Sequence, residues 1–451
     1  MKEILTKIKS FCHSQKGVLV LLMILVSASF LVGGKQLDEI KKEENKIFDE
    51  LSSEQQTETS GEEVKKNVEE MKTIEDIEIK TIKTEEPNVL EKIKKEEVEE
   101  VESAVDVSKE TKKDENIVLP DMKDNQFGIA AGGGLIYLDQ SDLNEYFQKL
   151  KDLGATWVRW DLDWEAIQPN NSNEYQWEDS DRVANTAQKY GINSLGIITY
   201  APRWSQTGSC SSGRHCPPAS PATFAKFAGI VAQRYKGVID VWEIWNEPNI
   251  EIFWYPSPSA EEYTALLKVS YTKIKEVNPQ AIVISGGLSD AGDEEGVSIS
   301  PLTFINTLYD FGAKGYFDAV ALHPYTYPGY NYGWPQITSV LDLMKEKGDG
   351  AKKIWITEYG APTGGSGEAF EIGEPGFTYD GDFMTEKAQE QMVKDIFAFQ
   401  SENSKSIGKI FWYNLQDTSM NLSTIENFFG LIHYDGTKKP AYTVLKKMFS
   451  D

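Results

Sequence analysis

The chain has 451 residues and a formal net charge of −25, with 71 Asp and Glu side chains against 46 Lys and Arg. Such an acidic protein repels phosphate backbones, so we expect no nucleic-acid partner. The charge is unevenly distributed and divides the chain into a lysine-containing N-terminus, a long Glu- and Lys-rich stretch, and an aromatic-rich remainder.

Residues 17–34 form an uncharged apolar stretch. Its length of about 18 residues is just enough to cross a bilayer core of roughly 30 Å. Lysines within residues 1–16 predict a cytoplasmic tail by the positive-inside rule, so we expect a single-pass signal anchor with the rest of the chain outside the cytoplasm. The alternative is a cleaved signal peptide and a secreted protein, because Ser27-Ala28-Ser29 offers small residues near a cleavage point. The length of the apolar run favours the anchor.

Residues 35–120 are rich in Glu and Lys and contain almost no aromatic side chains. This composition cannot bury enough apolar surface to offset the entropy of the chain. We therefore predict a disordered acidic linker that holds a folded domain, residues 126–451, away from the membrane.

The chain contains three cysteines. Cys12 falls on the predicted cytoplasmic side and is expected to be a free thiol. Cys210 and Cys216 lie in a Gly-, Ser- and Pro-rich loop on the exported side, where an oxidising compartment would let them form a disulfide. His215 alone supplies too few nearby ligands for zinc, so a metal site is the weaker interpretation.

The folded domain shows eight apolar strands, each followed by a helical pattern. The predicted strands are residues 127–131, 156–160, 194–200, 241–247, 281–286, 319–323, 353–358 and 410–415. The predicted helices are residues 143–153, 182–190, 224–235, 260–277, 303–309, 337–347, 387–400 and 442–448. This alternation predicts an α/β fold of the (β/α)8 TIM-barrel type. An open doubly wound sheet is the alternative, but Gly132–Gly134 lacks the spacing of its phosphate-binding loop.

Two carboxylates end predicted strands, Glu247 on the fourth and Glu358 on the seventh. The carboxyl ends of all strands lie at the same end of a barrel. The two carboxylates can therefore meet across its mouth, although 111 residues separate them in the sequence. A carboxylate beside an apolar strand is poorly hydrated, which favours its protonated form and suits a general acid. Paired carboxylates in an aromatic-lined cleft indicate cleavage of glycosidic bonds. The alternative for Glu247 is a helix cap or an ion pair with an arginine.

Aromatic residues in the loops after the strands are candidate platforms for sugar rings. They are Trp164, Trp204, Trp254, Tyr255, Tyr327 and Trp334. Taken singly, each is as easily explained by packing within the protein. The loop Ala361–Phe383 is either a lid over the cleft or a mobile surface loop.

The sequence motif Trp245-Asn246-Glu247-Pro248, together with the segment Trp355–Gly360, resembles the motifs of the clan A retaining glycoside hydrolases. Within the clan, it is most similar to family 39. That family includes β-xylosidases and exopolysaccharide endoglycosidases. The resemblance covers about residues 126–450. It implies that Glu247 is the acid/base, that Glu358 is the nucleophile and that Asn246 binds the sugar 2-hydroxyl.

The same resemblance assigns four further residues. It implies that Arg159 keeps Glu358 ionised, that His323 and Tyr325 lie near the nucleophile, and that Trp412 floors the central sugar site. Without the motif, His323 would be interpreted as a core histidine.

We therefore expect a retaining β-glycosidase that hydrolyses a polysaccharide outside the cell by double displacement, without a cofactor and with a monomeric catalytic domain. One alternative is a non-catalytic glycan-binding protein on a hydrolase barrel. Another alternative is a surface scaffold protein whose function depends on the anchor and the linker. Xylose, glucose, mannose and exopolysaccharide repeats are all compatible with the residues, as are exo and endo action.

Overall fold

The computed structural model describes residues 127–450, except for 208–209, 211–212, 328–333 and 379–380. The predicted cytoplasmic tail, the anchor, Cys12 and the acidic linker lie outside the described residues. Within the part that is described, no helix is both long and apolar enough to cross a membrane.

The core of the fold is a curled parallel sheet of nine strands in the order β5-β4-β3-β2-β1-β11-β8-β7-β6. Its strands are β1 Phe127–Ala130, β2 Trp157–Asp163, β3 Asn193–Thr199, β4 Val241–Ile244, β5 Ile282–Ile284, β6 Leu288–Ser289, β7 Val320–His323, β8 Ile354–Tyr359 and β11 Ile407–Tyr413. The short pair β9 Ala369–Phe370 and β10 Phe383–Met384 forms a separate parallel ladder.

The two edges of the main sheet meet through isolated parallel bridges. Ile284 on β5 bridges to Ala319 just before β7, and Asn246 beyond β4 bridges to Gly287 just before β6. Because β5 and β6 occupy one position in the ring, the sheet has eight positions. The fold is therefore TIM-barrel-like, and β8 and β11 are its seventh and eighth strands.

Helices cover the outside of the sheet. They are α1 Gln140–Leu153, α2 Trp164–Ile167, α3 Glu178–Tyr190, α4 Pro221–Arg234, α5 Ala260–Val277, α6 Pro301–Asp310, α7 Pro335–Glu346, α8 Glu386–Glu402 and α9 Pro440–Ser450. In α1 the buried residues Leu143, Phe147 and Leu150 recur at helical spacing, so one stripe faces the sheet. Asp139 begins α1 by accepting two backbone N–H bonds, and Gly154 ends it with φ 93°.

Alternation along each strand separates the barrel interior from the helix-facing layer. The interior is filled by Ala130, Trp157, Leu195, Val241, Ile282, Ile284, Ala319, Ala321, Trp355 and Phe411. Arg159 and Glu243 follow two residues after Trp157 and Val241, so the same alternation turns two fully buried charges inward, towards the carboxyl ends of the strands.

The predicted α/β barrel is confirmed, but one strand boundary bears on the site. β4 ends at Ile244, whereas the sequence predicted a strand to residue 247. The reason is the backbone, which enters the left-handed region at Trp245 (φ 69°) and again at Glu247 (φ 43°).

Candidate active site

The turn after β4 presents Glu247 to the barrel mouth. Left-handed backbone costs a non-glycine residue roughly 1–3 kcal/mol, so its surroundings must hold it in place. Trp245 is fully buried, and its indole N–H donates to the carbonyl of Phe253 at 2.8 Å. The backbone N–H of Glu247 donates to the carbonyl of Gly287 at 3.0 Å. The Glu247 side chain is consequently largely buried, with 11% exposure.

The structure brings Glu247, His323 and Glu358 together at the carboxyl ends of β4, β7 and β8. One ligand atom of each residue lies within 4.8 Å of the others. His323 Nδ1 is 2.8 Å from Glu247 Oε1 and 3.8 Å from Glu358 Oε2. The two carboxyl groups are therefore neighbours in one cleft.

Arg159 organises the base of this cleft. Its guanidinium donates to both oxygens of Glu243, at 2.8 and 2.9 Å. It also donates to Asn246 Oδ1 at 2.9 Å and to Glu358 Oε1. A buried arginine is stable only when its charge and donors are paired, and here Glu243 and Glu358 supply the charge.

Glu358 is held in its ionised form. Burial alone would raise the pKa of this carboxyl, but electrostatic interactions with His323 and Arg159 oppose that effect. Hydrogen bonds from Arg159 and from the hydroxyl of Tyr325, the latter at 2.8 Å, act in the same direction. The net result is a pKa below the usual range for glutamate, which favours the ionised carboxylate.

His323 is fixed from its other side as well. Its Nε2 lies 3.0 Å from the hydroxyl of Thr357, which in turn donates to Glu243 at 3.4 Å. A Cβ on Gly287 would lie 2.1 Å from His323 Nε2, so only glycine allows the ring to sit here. The histidine therefore links the Glu243–Arg159 pair to Glu247.

The Glu247, His323 and Glu358 donors are close enough to hold a metal ion. They are, however, already committed to other groups. His323 Nδ1 is bonded to Glu247, while Glu358 accepts from Arg159 and Tyr325. A cation would have to displace these partners and sit beside a guanidinium, so the arrangement favours proton transfer and nucleophilic attack over metal binding.

The aromatic candidates divide between the core and the surface. Trp254 is 1% exposed and packs edge-on against Trp245 and Tyr263. Its prediction as a substrate-binding residue is therefore wrong, because neither ring face is accessible. Trp164 and Trp334 are likewise buried.

Trp204 is half-buried. Its indole N–H donates to the carbonyl of Gln168 at 2.7 Å, and its ring contacts Trp164 edge-on at 5.5 Å. Tyr255 and Tyr327 are also partly exposed. These three residues keep an accessible surface that a sugar ring can contact.

Trp412 does not floor the cleft as predicted. It is 3% exposed, belongs to the helix-facing layer and packs edge-on against Tyr359. Alternation along β11 instead turns Phe411 and Tyr413 inward, and Tyr413 is half-buried. Burial raises the pKa of Tyr413, and the negative charge of Glu358 adds to this effect, so the phenol lies near Glu358.

Sequence reasoning missed Glu243 and Thr357 as members of the site, whereas Asp161 was noted beside Arg159 at the end of the second strand without a role. A signal existed for Glu243, because it is an acidic residue in an otherwise apolar strand, two residues after the inward-facing Val241. Thr357 carried no such signal, since threonine is common in buried strands.

Cys210 and Cys216 are joined in a disulfide, with their Cα atoms 6.1 Å apart. The loop between them carries Arg214 to the edge of the cleft. Arg214 Nη1 lies 2.5 Å from Asp163 Oδ2, and its guanidinium lies over the ring of Tyr200, 4.9 Å from the centroid.

Comparisons with known proteins agree with this architecture. The family model described as glycosyl hydrolase catalytic core matches residues 229–439. No curated protein matches the sequence. Solved structures of family 39 glycoside hydrolases, the family that the two motifs resemble, are similar to this chain in fold.

A family 39 glycoside hydrolase from the gut symbiont Bacteroides cellulosilyticus WH2 has a TM-score of 0.57 and 22% identity, covering 72% of this chain and 63% of that one. A GH39 enzyme from Xanthomonas axonopodis pv. citri has a TM-score of 0.54 and 16% identity, covering 72% and 66%. A GH39 β-xylosidase from Caulobacter crescentus has a TM-score of 0.55 and 15% identity, covering 72% of each chain. This chain thus spans just under two thirds of the first two structures. At such low identity these likenesses show the fold alone.

Proposed function

We propose that this chain, whose barrel resembles the family 39 glycoside hydrolases, is a retaining β-glycosidase that hydrolyses O-glycosidic bonds in an extracellular polysaccharide. The observation that carries the proposal is the meeting of Glu247 and Glu358, whose nearest carboxyl oxygens lie within 4.8 Å. Retaining enzymes hold their carboxyl groups about 5–5.5 Å apart, whereas inverting enzymes need roughly 6.5–9.5 Å to admit water. The separation therefore supports double displacement.

In the first step Glu358 attacks the anomeric carbon. Its pKa, lowered by His323, Arg159 and Tyr325 against the effect of burial, keeps the carboxylate ionised. The glycosidic C–O bond breaks as the new ester bond forms, and Glu247 donates its proton to the leaving oxygen. The product of this step is a glycosyl ester of Glu358 and a free leaving group.

In the second step Glu247, now a carboxylate, removes a proton from water. The water oxygen attacks the anomeric carbon from the opposite side to Glu358, the ester bond breaks, and Glu358 leaves as a carboxylate. The hydrogen bond between His323 Nδ1 and Glu247 Oε1 orients the acid/base in both steps. Two inversions give net retention.

Asn246 is oriented for the sugar 2-hydroxyl. Its amide oxygen accepts from Arg159, which leaves the amide nitrogen as the group available to the substrate. Contacts to this hydroxyl strengthen in the transition state of glycoside cleavage. Asn246 thus contributes to catalysis as well as to binding.

The proposed location follows from the N-terminal sequence. Residues 17–34 anchor the chain in the cell membrane, residues 35–120 act as a spacer, and the barrel acts outside the cytoplasm as a monomer. The Cys210–Cys216 disulfide is compatible with an oxidising compartment. Cleavage near Ser27-Ala28-Ser29 would instead give a secreted enzyme.

Activity on a panel of β-linked polysaccharides and oligosaccharides tests the function. We expect release of reducing ends by the wild type, and loss of at least 1,000-fold in Glu358→Ala and Glu247→Ala, on the order of acid–base and nucleophilic contributions combined. Glu276→Ala is the matched control, because Glu276 pairs with Lys273 on the surface of α5. Equal activity in all four proteins would refute the proposal, and glycan binding without hydrolysis would indicate a lectin-like role.

A further inference from the structure

Asp161 is a buried acid in the barrel mouth to which the mechanism above gives no role. It lies on β2, two residues after Arg159, and is 6% exposed. Residues two apart on a strand face the same side, about 6.6 Å further along. β1 ends at Ala130, which pairs with Arg159, so Asp161 extends beyond the last residue of its neighbour. It therefore occupies the layer above the Arg159–Glu358 pair, where a bound sugar would sit.

The nearby cations are already paired with other acids. Arg159 gives its donors to Glu243, Glu358 and Asn246. Arg214 forms its ion pair with Asp163. Among the described residues, Asp161 is affected by its neighbours only through their charges, and none of them donates a hydrogen bond to it.

Burial, reinforced by the negative charges of Asp163 and Glu358, raises the pKa of Asp161 to about 7. A carboxyl with this pKa exchanges readily between donor and acceptor forms near neutral pH. Because no described residue donates a hydrogen bond to this carboxyl, it is available to form one with a bound ligand.

Gly133, in the loop after β1, keeps space open beside this carboxyl. A Cβ at this position would lie 3.0 Å from Asp161 Oδ2 and 3.8 Å from Arg214 Nη2. The φ of Gly133 is not left-handed, so its backbone does not require glycine. A side chain at this position would approach the Asp161 carboxyl closely, so its absence leaves that side of the carboxyl open.

We propose that Asp161 is a specificity-determining residue that hydrogen-bonds a ring hydroxyl of the sugar whose anomeric carbon faces Glu358. The hydroxyl occupies the space beside Gly133, and the Asp163–Arg214 pair walls that space. This inference rests on the proposed glycosidase function and adds a polar contact on the glycone side to it. A sugar that lacks the hydroxyl is therefore discriminated against at this position.

The test is a coupling cycle between enzyme and substrate in the full chain. The probes are the 4-nitrophenyl β-glycosides of xylose, glucose, galactose and mannose, and the monodeoxy analogues of whichever sugar the wild type hydrolyses. We expect Asp161→Asn to lower kcat/KM by about 10- to 100-fold on the parent sugar, as for a hydrogen bond to a charged group. On the one analogue that lacks the bound hydroxyl, the same substitution should change kcat/KM by less than about 2-fold.

Two controls separate binding from folding. Asp318→Asn changes another largely buried carboxylate, which bonds the backbone N–H of Val283 near the opposite end of the barrel, and should leave kcat/KM unchanged on every probe. Gly133→Ala should raise KM, whereas Gly134→Ala should not, because a Cβ on Gly134 meets nothing within 4 Å. If Asp161→Asn does not fold, Asp161→Ser takes its place.

An equal loss by Asp161→Asn on the parent sugar and on every deoxy analogue would overturn the inference and assign Asp161 to structure or to the charge of the site. An unchanged kcat/KM would also overturn it. Inactivity of the wild type on all glycosides and polysaccharides is a different result, since it removes the proposed function and this inference together.

Discussion

At the scale of single residues, the site depends on how its charges are paired. Arg159 holds Glu243 and Glu358 at once, and Tyr325 donates to the second oxygen of Glu358. These contacts outweigh burial and lower the pKa of Glu358. In the proposed mechanism Glu358 is therefore ionised before any substrate binds, and preorganised electrostatics of this kind reduce an activation barrier.

Tyr325→Phe tests this arrangement. Removing the hydroxyl takes away a hydrogen bond that favours the ionised form, so the pKa of Glu358 should rise. Because kcat/KM requires ionised Glu358, the acid limb of its pH profile should move to higher pH, while the alkaline limb stays in place. A pH profile of kcat/KM from about pH 3 to 9 measures this shift. An unchanged acid limb would contradict the assigned role of the Tyr325 contact.

Gly287→Ala tests the position of His323. The added Cβ would lie 2.1 Å from His323 Nε2, so the ring must move and its bond to Glu247 must break. We expect kcat to fall roughly 100-fold or more, the usual contribution of an aligned general acid. Gly292→Ala is the control, because a Cβ there meets nothing within 4 Å and its φ is not left-handed. Similar kcat values for the two variants would show that His323 does not position Glu247.

At the scale of the strands, most of the barrel was predictable. Apolar runs, helical periodicity and their alternation indicated the eight positions, because each signal is repeated along the chain. The site residues at strand ends were predictable only where a motif marked them, as at Glu247 and Glu358. Glu243 was overlooked although it lies only two residues before the Trp245–Pro248 motif. Its hydrogen bonds to Arg159 depend on the barrel bringing β2 and β4 near one another.

The eighth strand shows why side-chain direction was harder to predict. Trp412 and Tyr413 are adjacent aromatics, and alternation sends one to the helices and the other into the barrel. A shift of one residue in register exchanges the two faces, and composition does not distinguish them. The backbone reversal at Trp245 and Glu247 was hidden for a related reason, because no glycine marks it.

A pair of substitutions at this strand tests the assignment. Trp412→Leu should destabilise the fold by about 2–4 kcal/mol, since it leaves a cavity in the helix-facing layer, with KM nearly unchanged. Tyr413→Leu should raise KM and cost less stability, because Tyr413 is half-buried near the nucleophile. Denaturant unfolding and steady-state kinetics measure the two effects. The reverse pattern would restore Trp412 as the floor of the site.

The disulfide loop provides a second test at the scale of elements. The bond closes a loop of seven residues, for which chain entropy predicts a stabilisation of about 2 kcal/mol. Because the loop carries Arg214 to Asp163, reduction should also raise KM more than it lowers kcat. Thermal unfolding and kinetics with and without dithiothreitol measure both effects, and Cys210→Ser, insensitive to the reductant, is the control. A change in kcat alone would argue against a positioning role for the loop.

At the scale of the whole molecule, the sequence combines an apolar N-terminal stretch and a Glu- and Lys-rich stretch with a barrel-like domain whose candidate site lies at one end. The net charge of −25 keeps such a protein soluble outside the membrane and repels anionic polymers. The proposed spacer would let a tethered enzyme reach glycans beyond the membrane surface. We therefore expect the proposed glycosidase to hydrolyse neutral or cationic polysaccharides faster than uronic-acid-rich ones at low ionic strength.

Fractionation of cells that express the full chain tests the proposed location. We expect the protein in the membrane fraction after an alkaline carbonate wash, and in the soluble fraction when residues 17–34 are deleted, because a stretch of about 18 apolar residues is just long enough to span. Release of the full chain into the medium, with a new N-terminus near residue 29, would establish signal cleavage instead.

The central claim is that Glu358 forms a covalent bond to the sugar while Glu247 transfers the protons. Its most direct measurement is trapping with a 2,4-dinitrophenyl 2-deoxy-2-fluoro-β-glycoside of the preferred sugar, followed by mass spectrometry of the intact chain and its peptides. We predict one adduct per chain, on the peptide that contains Glu358, and none in Glu358→Ala. An adduct on Glu247 or Asp161, or turnover that releases the α-anomer without any adduct, would contradict the account.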